Sequence, residues 1–329
     1  MPTTTSIDTI EALEALAPQW WSLWEATAQA TPFQTPAWLI PWWRAFAPGR
    51  LASIAVHRDG QLAGLAPFYI ENGPLGRRLL PIGIGISDYL DVLVRPGDQD
   101  AAAALANGLA AQAGWDSIEL EQLHPEAAAL ALPCPGGCVE HIDPQEACPG
   151  LDIGAEVDES GLPFELSGKR RQSYRRKRRA AESYPSVEIA AAPPSDFIEE
   201  LATLHQARWR QKGEDGVMAD PRVIAFQHEA APALSRHGLA QLTTLRLGGR
   251  LAGALYWFTW RDRAATYLSG FDPAFEEESP LTILYGEVFR HSAAAGICNV
   301  SFLRGREPYK YLWSATDCWN QHRSFRRAA

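Results

Sequence analysis

A short turn sequence that occurs twice is the feature that most constrains the fold of this chain. Residues 59–64 read Asp-Gly-Gln-Leu-Ala-Gly, and residues 248–253 read Gly-Gly-Arg-Leu-Ala-Gly. Glycine-containing pairs between apolar segments are typical of β-hairpins. Each hairpin is followed by a segment with strand character that contains a Tyr-Leu pair, at Tyr89 and at Tyr267. The same order in both halves predicts an internal duplication.

Helical and extended segments alternate in both halves, which is typical of α/β layered domains. The elements predicted in the first half are a helix over 8–30, a helix that starts at Thr35-Pro36, strands over 51–70 and 88–94, a helix over 99–113 and a strand over 117–123. Those predicted in the second half are a basic helix over 167–179, a helix over 195–212, a helix that starts at Asp220-Pro221, strands over 241–249, 250–260 and 264–271, a helix that starts at Ser279-Pro280 and a strand over 299–303. We expect an α/β (α+β) protein of two domains, residues 1–150 and 151–329, each a mixed sheet flanked by helices. Residues 124–157 are rich in proline, glycine and cysteine and are predicted to be an irregular connection.

Composition and charge disfavour several classes of protein. A chain of 329 residues with 46% hydrophobic and 21% charged residues is long enough for two domains and not polar enough for disorder. Its net charge of −9 disfavours a general nucleic-acid-binding protein, whose phosphate contacts need a basic face. It has no apolar run of the roughly 18 residues that a membrane span needs, and its start lacks the pattern of a secretion signal. Five cysteines, an odd number, favour reduced thiols, so we expect a cytoplasmic protein.

Several segments, distributed over nearly the whole chain, resemble a known family. They are FQTPAWLIPWW at 33–43, APF at 66–68, DYLDVLV at 88–94, SGKRRQSYRRKRR at 167–179, LHQARW at 204–209, YLSGFDP at 267–273 and FLRGREPYKYLW at 302–313. On these segments the chain resembles the bacterial tandem-GNAT (GCN5-related N-acetyltransferase) acyltransferases of the CelD-like family, distant relatives of the FemAB and FemX aminoacyltransferases. The resemblance implies a GNAT-like domain with a helical start over 1–150 and a second GNAT-like domain, entered by a basic helix, over 151–329.

The family resemblance implies an acyltransferase, in which an amine or a hydroxyl attacks an activated acyl group. The implied donor is acetyl-CoA or another acyl-CoA, without a metal ion, and the implied acceptor is a small anionic or saccharide molecule such as a cell-envelope precursor. Two alternatives stay open: a FemX-like aminoacyltransferase that uses aminoacyl-tRNA, and a GNAT-fold binding protein without catalysis. Peripheral membrane contact and the oligomeric state also stay open. Such chemistry needs donors for the oxyanion, a proton route and a cradle for the donor's phosphates.

Three residues are candidates for catalysis. Lys310 occupies the place of an aromatic-Lys pair that meets the developing negative charge in FemX-like relatives, so the resemblance implies an oxyanion contact; a surface lysine beside a turn is the alternative. Tyr267, on the strand before the helix at Ser279, is expected to protonate the leaving thiolate. His205 is a candidate base, although a lone histidine is more often structural.

Ser279, Leu281 and Thr282 are the candidates for binding the phosphates of coenzyme A. They begin a predicted helix, whose first amides and dipole favour an anion. Relatives commonly have Ser-Pro-Gly at this turn, whereas this chain has Ser-Pro-Leu. Leucine hinders the close backbone approach that glycine permits, so this departure weakens the prediction of coenzyme A.

The candidates for binding the acceptor come from both halves. Arg208 aligns with an arginine that holds a phosphate in FemX-like relatives, and the alternative is a solvated helix position. Trp42 replaces a phosphate-binding lysine of those relatives, which favours stacking on a sugar ring or an apolar chain unless the ring belongs to the core. The remaining candidates are Asp88, Tyr89, Asp272 and Glu307. For the aspartates, a polar position at a turn or strand end is the alternative.

A basic run precedes the second domain. Eight of the eleven residues 169–179 are lysine or arginine, in a spacing that allows one helix with most charges outward. Such a helix binds a small anion or a lipid surface, or is only a solvated face. Nucleic acid is the least favoured partner, because the chain as a whole is acidic.

Four potential zinc ligands lie in the predicted connection. They are Cys134, Cys138, His141 and Cys148. Their spacing matches no standard zinc pattern, so free thiols in a loop are the favoured interpretation.

Overall fold

The computed structural model describes residues 2–211 and 213–328, without the side chains at positions 208 and 211. The chain divides into two compact units. The first comprises Met1–Glu146 with Trp319–Ala329, and the second comprises Ala147–Cys318. The boundary lies close to the one expected at residue 150, but the end of the chain returns to the first unit.

The first unit contains helices and strands in the alternation that the sequence predicts. Its helices are α1 (Ile10–Ala15), α2 (Ala17–Ala26), α3 (Pro36–Phe46) and α4 (Gln99–Ala110). Its strands are β1 (Thr3–Ile7), β2 (Arg50–Leu51), β3 (Ser53–Arg58), β4 (Gln61–Ala66), β5 (Phe68–Gly73), β6 (Gly76–Pro81), β7 (Leu93–Val94), β8 (Ser117–Leu123), β9 (Cys138–Ala147) and, from the end of the chain, β16 (Trp319–Arg327).

These strands form two sheets, one in the order β1-β3-β4-β7 and one in the order β2-β5-β6-β8-β16-β9. The predicted hairpin joins β3 to β4 in antiparallel register, with His57 opposite Leu62. At its turn both Asp59 and Gly60 have positive φ, 52° and 77°. Left-handed backbone at both central residues is what a type I′ hairpin turn requires, which explains the Asp-Gly pair.

The second unit has the same kind of alternation. Its helices are α5 (Gly168–Ala181), α6 (Pro194–Gln211), α7 (Pro221–Arg236), α8 (Pro280–Ala294) and the single turn α9 (Pro308–Tyr311). Its strands are β10 (Gly150–Asp152), β11 (Val187–Ala191), β12 (Ala240–Leu247), β13 (Arg250–Trp260), β14 (Arg263–Phe271) and β15 (Asn299–Ser301). The basic run therefore forms a helix, α5, as predicted.

One sheet organises the second unit, in the order β10-β15-β14-β13-β12-β11. Its pairs are antiparallel except β14 with β15, which is parallel. The order β11-β12-β13-β14 repeats β1-β3-β4-β7 of the first unit, and in both units helices follow the first strand and one helix follows the fourth. This common order agrees with the predicted duplication; superposition of the two halves stays a prediction.

The sequence prediction of a strand over 88–94 is wrong for most of that segment, because only β7 pairs in a sheet. The carboxylate of Asp91 accepts hydrogen bonds from the amides of Val92 (2.8 Å), Ala128 (2.9 Å) and Ala129 (2.8 Å). Asp91 thus holds this segment against the turn at 128–131, and these hydrogen bonds take the place of pairing with a neighbouring strand. Burial raises the pKa of Asp91 to about 7, although these amides oppose the shift.

The prediction of an irregular connection over 124–157 is also wrong in part. The segment contains β9, which pairs with β16, and β10, which pairs with β15. Both partners lie far along the chain, so local composition could not reveal the pairing.

The core of the second unit lies between its sheet and α8. Buried side chains of the sheet, Leu255, Trp257 and Val300, pack with Ile283 and Phe289 of α8. This packing fixes α8 beside β13 and β14. In the described part of the chain, no helix combines the length and the apolar character needed to cross a bilayer.

Candidate active site

An opening in the sheet between β14 and β15 is the most distinctive feature of the second unit. The two strands pair only over Arg263–Ala265 and Asn299–Ser301. Beyond this, residues 266–271 of β14 pair with β13 on one side, and no described strand pairs with them on the other. The chain after β15 instead leads through residues 302–307 to α9. Residues 266–271 of β14 therefore have an open strand edge.

A β-bulge places Tyr267 on this open strand. Along the β13–β14 pair, Tyr256 lies opposite Leu268 and Trp257 lies opposite Thr266, so Tyr267 is the extra residue. The bulge lets Tyr267 point to the same face as its neighbour Leu268. There its ring contacts the ring of Tyr256 at 5.4 Å, and its hydroxyl accepts a long hydrogen bond of 3.4 Å from Gln227 of α7. The bulge thus turns a half-buried phenol to the α6–α7 face, next to the open edge.

Three hydroxyls form a chain on the opposite face of the same strand. Ser269 of β14 lies 3.4 Å from the hydroxyl of Tyr285, which donates to the hydroxyl of Tyr309 at 3.2 Å. The two tyrosine rings stack with their centroids 5.5 Å apart. Tyr285 is buried, whereas Tyr309 is half-buried. This chain connects β14, α8 and α9 and offers a route for a proton.

Lys310 is buried, with 2% of its surface exposed, and its ammonium is fully used within the protein. It donates to the carbonyl oxygens of Leu303 (3.1 Å), Arg304 and Gly305 (3.0 Å) and lies 3.0 Å from the carboxylate of Glu307. An ammonium has three N–H groups, and three carbonyls take them. In this arrangement Lys310 shapes the loop opposite β14; an oxyanion contact would require exchange of one of these bonds.

The start of α8 offers little to an anion. Ser279 has left-handed backbone (φ 53°) and makes no side-chain cap, Pro280 has no N–H, and the amide of Thr282 donates to the carbonyl of Ser279 at 2.9 Å. The side chain of Leu281 packs against the core. Three consecutive glutamates, residues 276–278, precede this helix start and disfavour phosphate there.

Helix α5 covers the site from the side of α8. A Cβ on Gly286 would lie 2.1 Å from the ring of Tyr174, so the absence of a side chain at Gly286 lets the two helices touch. The guanidinium of Arg170 lies 4.0 Å from the centroid of the Trp313 ring. Burial lowers the pKa of Arg170 to about 10, which the nearby Tyr285 partly opposes. No sequence motif marks Arg170, Tyr285 and Trp313 as neighbours, because long-range packing brings them together.

Two of the candidate residues, His205 and Arg208, lie on α6. His205 is 5% exposed, and its Nε2 accepts a hydrogen bond of 2.9 Å from the indole of Trp209. A Cβ on Gly216 would lie 2.3 Å from the imidazole ring. These contacts favour the structural interpretation of His205 over that of a base. The side chain of Arg208 lies outside the described residues.

The candidates of the first unit belong to its interior. Trp42 is 3% exposed and packs against Phe46 and Tyr69, at 5.2 and 5.9 Å between centroids, which favours the core over a stacking surface. Asp88 and Tyr89 are both buried, and their carbonyls accept hydrogen bonds from Asn320 and Gln34.

Two acidic candidates have local structural partners. Asp272 caps the turn at 273–275 by accepting from the amide of Ala274 at 2.9 Å, and it also meets Arg250 at 3.3 Å. Glu307 pairs with Lys310. Across residues 2–211 and 213–328, no group of histidine, cysteine and carboxylate side chains is arranged to hold a metal ion.

The strand order, the bulge, the opening beside β14 and the helix that follows it make up a GNAT-like fold. Residues 168–311, within the second unit, match the family described as acetyltransferase (GNAT) domain. No curated protein matches the sequence of this chain.

Solved structures show the same fold over the whole chain. FemX is 11% identical, with a TM-score of 0.70 over 98% of this chain and 96% of FemX. The C-terminal domain of a putative lysylphosphatidylglycerol synthetase from Agrobacterium fabrum is 11% identical, with a TM-score of 0.57 over 95% and 92%. A tandem GNAT protein from the clavulanic acid biosynthesis pathway is 16% identical, with a TM-score of 0.50 over 98% and 98%. The predicted fold of two tandem GNAT-like domains is confirmed, and the likeness to FemX is a likeness of fold.

Proposed function

We propose that the second unit transfers an acyl group from a thioester to an amine or hydroxyl acceptor, at the opening between β14 and β15. The observation that carries this proposal is the open edge at residues 266–271, with Tyr267 on one face and the Ser269–Tyr285–Tyr309 hydroxyl chain on the other. The match of residues 168–311 to a GNAT acetyltransferase domain supports it.

The open edge suits the pantetheine arm that carries biological thioesters. Such an arm contains amide groups, and an extended chain with amides can add to a free strand edge through main-chain hydrogen bonds. Bound along residues 266–271, the arm would lie beside both Tyr267 and Ser269. The thioester carbonyl would then lie between the phenol on one face and the hydroxyl chain on the other.

The reaction assigns a role to each of these groups. The acceptor's nitrogen or oxygen forms a bond to the thioester carbonyl carbon, the carbon–sulfur bond breaks, and the acceptor loses a proton to solvent through the hydroxyl chain. Tyr267 protonates the leaving thiolate, which departs as the thiol. The hydroxyl of Tyr309 donates to the oxyanion in place of Lys310, because the three N–H groups of Lys310 hold the loop at 303–305. Lys310 is a positioning residue in this account.

The acceptor class follows from the sequence resemblance: an amine or hydroxyl on a saccharide or other cell-envelope precursor. Acyl-CoA is the donor that the resemblance implies. The FemX likeness makes aminoacyl-tRNA the second donor to include, since the fold as a whole is similar at a TM-score of 0.70.

The experiment is a transfer assay with the full chain and isotopically labelled acyl donors. Acetyl-CoA, longer acyl-CoA and aminoacyl-tRNA are each incubated with a panel of amino sugars, peptidoglycan precursors and diamines, and mass spectrometry detects labelled products. We expect a labelled amide or ester and release of one thiol for each product. Products from aminoacyl-tRNA alone would show that the donor is an aminoacyl-tRNA and not a thioester. Saturable acceptor binding without any product would indicate a GNAT-fold binding protein.

A further inference from the structure

The exposed face of α5 carries cations that the protein itself does not neutralise. Lys169, Arg176 and Arg179 are exposed and, across the described residues 2–211 and 213–328, form no ion pair or hydrogen bond. They line a groove of about 740 Å³ along the helix, together with Gln172, Ser173 and the ion pair of Glu159 and Arg175. The three cations span eleven residues, about 15 Å of helix.

The other basic residues of α5 have partners, which makes this face distinct. Arg171 and Arg175 meet the carboxylate of Asp158 at 3.4 and 3.2 Å, and Arg178 lies 3.7 Å from Glu287. Lys177 donates to the carbonyl of Glu277. Internal partners account for these residues, and a stripe of three positive charges is left for an external one.

Two carboxylates lie close to the start of α8, where the family resemblance implies the phosphates of coenzyme A. Glu276 and Glu277 are exposed, make no ion pair with any described residue and lie four and three residues before the first residue of α8, Pro280. Coenzyme A carries several phosphate charges, which these carboxylates repel. A thioester whose arm bears a single phosphodiester has most of its negative charge away from the arm. The two carboxylates therefore repel such a donor less.

The groove along α5 adjoins this region. Ala180 lines both the groove and a second cavity of about 360 Å³, which is also lined by Tyr184, Glu277 and Glu278. A partner docked on the cationic stripe therefore lies next to the segment that leads into α8.

We propose that the donor is an acyl group carried on the phosphopantetheine arm of a small acidic carrier protein, which docks through its carboxylates on Lys169, Arg176 and Arg179. The inference rests on the proposed acyl transfer and names its donor. The acceptor attacks the thioester carbonyl, the carbon–sulfur bond breaks, and the carrier leaves with its thiol protonated.

Two other polyanions fit the stripe less well. A helix that lies on a membrane needs a broad exposed apolar face, but Tyr174 and Ala181 of α5 are buried and Ala180 is its one exposed apolar side chain. Stable binding of RNA depends on many phosphate contacts, whereas this face offers three free cations in a chain of net charge −9.

The test compares three donors with the full chain: an acetylated bacterial acyl carrier protein, acetyl-CoA and acetyl N-acetylcysteamine, which has no phosphate. We expect kcat/KM to be highest with the carrier protein and to fall with added salt for that donor. Combined Lys169→Gln, Arg176→Gln and Arg179→Gln should lower kcat/KM for the carrier about tenfold or more and leave the uncharged thioester unchanged. The variant Arg236→Gln, an exposed cation on α7, is the matched control and should change neither.

A second variant tests whether the carboxylates near the start of α8 repel coenzyme A. Glu276→Gln with Glu277→Gln should lower KM for acetyl-CoA several-fold and leave the uncharged thioester unaffected. Titration of the holo carrier protein by fluorescence anisotropy measures docking even without turnover. Equal use of acetyl-CoA by the wild type and the triple variant, with no carrier binding, would overturn the inference and leave acyl transfer intact. Binding of anionic vesicles or tRNA, lost in the triple variant without any carrier binding, would also overturn it. Absence of product from every thioester would instead contradict the proposed function.

Discussion

The hydroxyl of Tyr285 donates to the hydroxyl of Tyr309 across 3.2 Å, and the two rings stack. This pair joins α8 to α9 beside the open edge of β14. If Tyr309 donates to the oxyanion, Tyr309→Phe should lower kcat about a hundredfold with little change in KM, because the contact forms mainly in the transition state. Steady-state kinetics of thioester-dependent transfer measures this.

Tyr311→Phe is the matched control for that prediction. Tyr311 lies on the same turn, and its hydroxyl donates to Asp317 at 2.6 Å instead of the chain. The Tyr311 hydroxyl also accepts a hydrogen bond of 3.2 Å from Arg306, so the control should keep its kcat within about twofold while losing the modest stability of two hydrogen bonds. Equal losses in both variants would show that α9 is only structurally sensitive.

Lys310→Met should affect stability first. The substitution leaves the carbonyls of Leu303, Arg304 and Gly305 without their donor in a buried place. We expect the free energy of unfolding to fall by about 2–4 kcal/mol, the range for losing charge-assisted buried hydrogen bonds. Urea unfolding of the wild type and the variant measures it.

Lys310→Arg separates positioning from direct catalysis. Arginine keeps the charge but its planar fork directs the donors differently, so it should restore only part of the stability. A Lys310→Met protein with unchanged stability and a kcat about a hundredfold lower would restore the oxyanion role implied by the FemX resemblance.

Gly286→Ala should separate α5 from α8. The added Cβ would lie 2.1 Å from the ring of Tyr174, so the helices must move apart, at a cost of about 1–3 kcal/mol. Gly168→Ala is the control, since nothing lies within 4 Å of a Cβ there. On helix propensity the control should be neutral or stabilising by up to about 1 kcal/mol. Thermal unfolding of both variants measures the difference, and equal melting temperatures would contradict the close packing.

The pair of His322 and Glu119 makes the stability of the first unit depend on pH. The hydrogen bond to Glu119, at 2.8 Å, raises the pKa of His322 above its usual value. The stabilisation is therefore complete below the unfolded pKa of about 6.5 and is lost as the pH rises through the folded pKa. His322→Gln should be less stable than the wild type at pH 6, by up to about 1 kcal/mol, and closer to it at pH 9. A difference that stays constant across this range would contradict the assignment.

Local sterics made the starts of several helices predictable. Thr35-Pro36, Asp220-Pro221 and Ser279-Pro280 each precede or begin a helix at the expected residue, because proline at the first helical position needs no amide partner. The hairpin at Asp59-Gly60 follows from the backbone that glycine and aspartate tolerate. Such signals lie within a few residues of the structure that they specify.

The rest depends on contacts between distant residues. Strand β16 pairs with β8, placing Phe325 opposite Ile118, and local composition gives no sign of that partner. The motif around Lys310 correctly indicated the segment next to the candidate site. The hydroxyl chain, however, depends on Tyr285, which in the sequence is only one aromatic residue of an apolar helix. The role expected for Lys310 depended on whether its N–H groups were free, and the fold of residues 303–305 decides that.

If acyl transfer occurs at the bulged edge of β14, thiol release should depend on the hydroxyl of Tyr267, which the variant Tyr267→Phe removes. The measurement is the rate of acceptor-dependent thiol release, followed with a chromogenic thiol reagent, for the wild type, Tyr267→Phe and Tyr256→Phe. Tyr256 is the control, because its ring contacts Tyr267 while its buried hydroxyl has no partner among the described residues. We expect thiol release to be about a hundredfold slower with Tyr267→Phe, by the usual contribution of a general acid, and to stay near the wild-type rate with Tyr256→Phe. Full turnover by Tyr267→Phe would contradict it.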